Sequence, residues 1–145
     1  MRCLSVLLLA LLFSLVACTN DGASYSMDNG RQIVSIVREN NYFWEKRVKF
    51  SVIVSRLPDC QRRHALRVAG PKTHVELWQP GDNTFILRLG QDMYLTENRT
   101  CEGFAILKEE PPGGLGQHLG SFGESKGDFV FIPAEPRTSA PAGAN

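Results

Sequence analysis

The chain has 145 residues with 16 Lys+Arg against 15 Asp+Glu, a formal net charge of +1. That balance excludes a dedicated nucleic-acid binder, which needs a basic excess to displace counterions. With 43% hydrophobic and 21% charged residues it is neither a disordered nor a fibrous chain, and its length allows one domain.

Met1-Arg2-Cys3 opens the sequence, and Leu4 to Val16 is interrupted only by Ser5 and Ser14. As helix that run would cover about 20 Å, short of the roughly 30 Å of a bilayer core. A charged start, a short apolar run and a small residue at its end describe a secretory signal peptide over residues 1–17. Leu15-Val16-Ala17-Cys18 resembles the lipobox of bacterial lipoproteins. The resemblance covers only this segment. It implies cleavage before Cys18, diacylglycerol on the Cys18 thiol, and usually a further acyl chain such as palmitate on the new amino terminus. Thr19, where Asp would favour inner-membrane retention, implies the outer membrane, facing the periplasm. Two or more acyl chains, at about 0.8 kcal/mol per buried CH₂, hold a protein almost permanently. The membrane, reached through Cys18, is thus the first expected partner. Losing Arg2 leaves the mature chain with 15 basic and 15 acidic residues.

Cys3 leaves with the signal and Cys18 carries lipid, so Cys60 and Cys101 remain. An even pair in an exported chain reads as one disulfide. A metal set of Cys60, His64, His74 and Cys101 is the rival, although it lacks the close cysteine pairs of familiar zinc modules. Free or redox-active thiols are the third reading, with no C-x-x-C to support exchange.

Residues 18–30 read as the lipidated cysteine and a flexible tether, able to reach about 40 Å when extended. Residues 31–132 read as a single β-rich domain, and 133–145 as a disordered Pro/Ala-rich tail. Within the domain, 31–39 leans to a short helix started by Asp28 or Asn29 and stopped by Asn40-Asn41, with a buried strand as the alternative. Val48, Phe50, Val52 and Val54 alternate with polar residues over 47–56, a strand pattern. After a turn at Leu57-Pro58-Asp59-Cys60, residues 63–69 resume alternation, with His64, Leu66 and Val68 on one face. Val75 and Leu77 lead through Gln79-Pro80-Gly81-Asp82-Asn83 to Phe85, Leu87 and Leu89, a hairpin signal. Gly90-Gln91 turns into Met93 and Leu95, and 101–108 adds a strand. Residues 109–126, rich in Gly and Pro, read as a long loop before a closing strand at 129–132. The expected fold is mainly β: a small antiparallel meander of six or seven strands forming a barrel or sandwich, with α+β as the alternative if the N-terminal helix forms.

No catalytic set emerges. There is no H-E-x-x-H, Walker sequence or G-x-S-x-G elbow. His64 reads as a partly buried strand residue, His74 as an exposed strand start, and His118 as a loop residue. The Gly114 to Gly120 segment lacks the preceding strand and following helix of a dinucleotide loop, and no cofactor is expected. Cys60 and His64, four apart on a strand, would stand about 13 Å from each other, and Glu109-Glu110 shows no device for splitting two pKa values. Arg62, Arg63 and Arg67, with Arg47 and Lys49, read either as a partner-binding basic patch or as a charge-protected sheet edge. Trp78 and Tyr42-Phe43-Trp44 are candidate aromatic anchors or core residues. Asn98-Arg99-Thr100 matches a glycosylation sequon that a bacterial lipoprotein would rarely use.

The sequence therefore leads to a membrane-anchored periplasmic binding or scaffolding lipoprotein, with an envelope protein or the cell wall as partner and no nucleic acid. Two alternatives stand beside it. One is a small envelope hydrolase or thiol enzyme using Cys60, His64 or His74. The other is an inhibitor or exclusion factor capping another envelope protein through the basic hairpin.

Overall fold

Period-two alternation marks the strands because their buried positions are largely Val, Ile, Leu and Phe, side chains that fit a pleated, half-buried surface. The computed structural model describes residues 20–40 and 44–135. The lipobox region, Tyr42, Phe43 and the end of the expected tail lie outside them. Ten strands form: β1 (Asn20–Met27), β2 (Gln32–Glu39), β3 (Val48–Arg56), β4 (Cys60–Ala69), β5 (Val75–Gly81), β6 (Thr84–Leu89), β7 (Asp92–Glu97), β8 (Phe104–Leu107), β9 (Gln117–Ser125) and β10 (Asp128–Pro133).

They make two antiparallel sheets and no closed barrel, which fits a β-sandwich or meander. The first sheet is the meander β1-β2-β3-β4. In the second, β9 returns to pair with β5, giving the order β10-β9-β5-β6-β7-β8. Register places Val34 opposite Val54 and Ile36 opposite Val52. These four meet Leu77, Leu87, Leu89 and Phe122 in one core that also holds Phe50 and Phe85.

Side chains join the sheets at both margins. On one, the Tyr25 and Phe131 ring centroids lie 4.8 Å apart, and Phe131 in turn meets Phe122 at 4.9 Å. Arg38 reinforces this margin with its side chain 9% exposed. It bonds Asp21 at 2.8 Å and the Pro71 carbonyl at 2.5 Å, and covers the Phe129 ring at 4.2 Å. A guanidinium so removed from water needs each of these partners. On the other margin, the Arg67 backbone N–H donates to the Tyr94 hydroxyl at 3.2 Å. Burial pushes the Tyr94 phenol above its ordinary range, against the opposing pull of that N–H.

Three expectations are corrected. Residues 31–39 are strand, not helix: Ile33, Val34, Ile36 and Val37 are all β-branched, and their alternation buries Val34 and Ile36 while leaving Ile33 and Val37 half-buried. The expected tether is strand and turn from residue 20 onward. Ala23 is buried and Tyr25 and Met27 pack against the core, and all of β1 pairs with β2. Asp28, Asn29 and Gly30, at φ of 52°, 53° and 86°, turn the chain between them, a conformation those residue types tolerate best. The folded body thus begins by Asn20, before the expected boundary at residue 31. Finally, the expected 109–126 loop is loop only to Gly116. Residues Gln117–Ser125 form β9, central in its sheet, and β10 carries Pro133 within it.

Candidate functional site

The residues singled out by sequence do not assemble into one surface. Cys60 and Cys101 are disulfide-bonded, Cα atoms 5.9 Å apart. Cys60 therefore offers no thiol as a nucleophile or metal ligand, which removes the central group of the thiol-enzyme alternative. His64 Nε2 donates to the Cys101 carbonyl at 3.0 Å, and its ring stacks on Phe104 at 4.6 Å. His74 packs against Gly123, where a Cβ would overlap its ring. Among the described residues no group of His, Cys, Asp and Glu is arranged to hold a metal ion.

The arginines lie on β4, each facing a carboxylate. Arg63 pairs with Glu39 at 2.9 Å and also donates to Ser51 Oγ at 3.0 Å. Arg67 pairs with Asp92 at 2.5 Å, and Arg62 stands 3.7 Å from Glu102. Arg47 donates to the Val68 carbonyl. The three β4 arginines are thus each set beside an acid.

Beside Cys101, Glu97 organises the 98–103 loop. Its Oε2 accepts the N–H groups of Arg99 and Thr100 at 2.6 and 2.9 Å. Its Oε1 accepts the Thr100 hydroxyl at 2.5 Å and the Gly103 N–H at 3.0 Å. Desolvation works to raise this carboxyl, but the four donors outweigh it and hold its pKa at about 2. Because the ordinary value is 4.5, the stabilisation is complete above pH 4.5 and is lost as pH falls towards 2. Glu97→Gln should cost about 1 kcal/mol at pH 7, allowing for solvent screening of a partly exposed group. It should converge with the parent near pH 2, as denaturant midpoints measured at both pH values would show.

Trp78 occupies a different place. The β5–β9 register steps from Leu77–Gly120 to Trp78–His118, leaving Leu119 as an extra residue; on the other side of β5, the ladder to β6 is irregular between Trp78 and Gly81. Bulges of this kind bend a strand and re-aim its side chains. Here they align Trp78 with His118, ring centroids 4.3 Å apart. Trp78 Nε1 donates to Glu76 Oε2 at 3.2 Å, fixing the indole. His118 Nε2 is buried with no hydrogen-bond partner among the described residues.

This aromatic pair forms one wall of a groove of about 1140 Å³ over the first half of β9. Ser24, Tyr25 and Ser26 of β1 and residues from Phe131 to Glu135 also line it. Ser24 is engaged with Ser35, hydroxyl to hydroxyl, at 2.7 Å. Two glycines shape the floor. A Cβ on Gly116, at φ +80°, would overlap the Gln79 carbonyl, and one on Gly120 would overlap that of Ile132. Of the residues proposed from sequence for partner binding, only Trp78 lines this groove. His118 and Tyr25 are not expected at a site from sequence because 117–125 and 20–27 read as loop and tether, whereas Phe131 is expected as part of the closing strand but not as a groove residue. The signal available was Phe122, the one aromatic between Gly120 and Gly123, which faces the core. No protein-family model, no curated protein and no solved structure matches this chain.

Proposed function

We propose that the chain is a lipoprotein of the bacterial envelope, anchored through acyl chains on Cys18, whose β-domain is a binding module working through the groove beside Trp78 and His118. The groove carries this reading: it is the place where a locked aromatic wall, hydroxyl groups and an unpartnered buried ring nitrogen meet, and convergent polar groups in a concave site are what ligand recognition uses. The site is built on strands, with its side chains held from behind by Glu76, Phe122 and the Gly116 and Gly120 backbone.

Position along β1 supports the same reading. Only Thr19 separates Cys18 from Asn20, so a lipidated Cys18 holds the start of β1 close to the bilayer. Tyr25 lies five residues further, about 17 Å along the strand. A groove at that remove from the acyl chains is within reach of periplasmic partners. The balanced charge of the mature chain fits attachment by acyl chains with no need for a basic surface against headgroups.

Cys18→Ser should abolish incorporation of an alkyne-tagged fatty acid and release the chain from the membrane fraction. Retention with full labelling would remove the anchor from this reading. A photo-crosslinking residue at Gln117, in the groove, should yield adducts in intact cells. The same group at Ile106, which is 68% exposed at the β8 edge, should not. Absence of adducts from Gln117 would refute the groove as the binding surface.

A further inference from the structure

We infer that the groove takes a neutral glycan chain, with Trp78 and His118 as its platform; this deepens the binding-module reading and rests on it. Three observations favour that class of ligand.

The first is charge. Among the described residues no lysine or arginine lines the groove, and the one carboxylate there is Glu135. Phosphate-bearing or carboxylate-rich ligands are recognised by guanidinium and ammonium groups. Here the guanidinium groups of Arg62, Arg63 and Arg67 are on β4, each committed to an acid. An anionic ligand would meet the like charge of the Glu135 carboxylate.

The second is size. Compact small-molecule sites hold about 300–1000 Å³, whereas this groove has about 1140 Å³ and is open along its length. It suits an extended ligand that passes through, not a small metabolite enclosed on all sides.

The third is the pairing of surface types. Because Trp78 Nε1 is already bound to Glu76, the indole meets a ligand through ring carbons, a surface for the C–H face of a sugar. Ser26 and Ser121 also line the groove, and a serine hydroxyl can donate or accept. A sugar ring carries both kinds of surface at once, apolar on its faces and hydroxylated around its rim. The His118 nitrogen adds to this. Buried ring nitrogens are almost always paired, His118 Nε2 has no partner among the described residues, and a ligand hydroxyl can serve either tautomer.

The test is calorimetric titration of the full lipidated chain in detergent micelles with the β-1,4-linked N-acetylglucosamine tetramer. Saturable binding is expected. It should weaken at least about tenfold in Trp78→Ala, a usual loss for a central aromatic anchor, and in the groove-filling Ser26→Trp, while Ile106→Ala leaves it unchanged. Thermal melting of each variant verifies that it is folded, and Ser26→Trp, on the exposed side of β1, decides the matter should Trp78→Ala unfold. As the ligand is neutral, a tenfold rise in salt should hardly move the affinity. No saturable binding, or binding indifferent to both groove variants, overturns the inference. If a glutamate-containing tetrapeptide binds with the same dependence on Trp78 and the sugar does not, the glycan is refuted while the groove stands as the binding surface.

Discussion

Gly116→Ala should cost about 3 kcal/mol, or about 10 °C of melting temperature in a chain of this size. Two effects combine at that position. The backbone is at φ +80°, where a Cβ crowds the following carbonyl, and the new methyl would overlap the Gln79 carbonyl and the Pro80 Cα. Both obstacles are backbone atoms, so no side chain can rotate out of the way. Other glycines separate the two effects. Gly90 has φ +66° with nothing within 4 Å of the added Cβ, so its alanine variant should lose only the conformational part, about 1–2 kcal/mol. Gly123 would overlap the His74 ring at an ordinary φ, and that ring can move, so its cost should fall below that of Gly116. Gly113 has neither problem, and its variant should lie within about 0.5 kcal/mol of the parent. Urea denaturation of the four variants orders them. Should Gly116→Ala group with Gly113→Ala, the entry to β9 would not pack on Gln79 and Pro80 as described. The same substitution should weaken any ligand of the groove, since Gly116 seats the strand that carries His118.

That segment also shows what sequence patterning reveals and what it hides. Strands β3 to β7 and β10 were legible because their buried residues, Val48 to Val54 or Phe85 to Leu89, come from apolar side chains at period two. β9 carries the same period in residues that do not look apolar: beside Phe122 its buried positions include Gly120, where a side chain would meet Ile132 and Phe131. Local composition therefore mimics a loop, and only the β10 backbone opposite explains it. β1 is hidden for a related reason. It is an edge strand with one neighbour, so its outward Ser24 and Ser26 remain exposed and a single row, Ala23, Tyr25 and Met27, faces the core. At 31–39 helix and strand periodicities overlap over so few residues that β-branching was the better guide. The candidate site inherits these gaps. Trp78 was noticed as an aromatic, but its partner arrives from a strand distant in sequence, through a bulge that no local pattern encodes. Arg38 was missed likewise: a buried guanidinium is specified by Asp21, Pro71 and Phe129, on three other segments.

Replacing both Cys60 and Cys101 by Ala should remove about 4 kcal/mol from the stability under non-reducing conditions. The bond spans a sequence separation of 41, and in the chain-entropy account closing a loop of that length restricts the unfolded ensemble by about that amount. The folded loop, by contrast, has other supports. Glu97 holds residues 99, 100 and 103 through four donors, and His64 binds the Cys101 carbonyl. The double variant should therefore keep the parent's amide spectrum across 98–103 while its denaturation midpoint falls. Its m-value should rise, because an unfolded chain freed of the cross-link exposes more surface. Adding reductant should bring the parent's midpoint down to that of the variant and leave the variant's own midpoint in place. Equal midpoints without reductant would mean that the bond is not formed in the protein. Glu97→Gln in the double variant then tests whether the supports share one task. If carboxylate and disulfide both order the 98–103 loop, removing both should cost more than the sum of the separate losses, since each alone leaves the other to hold Cys101 beside β4.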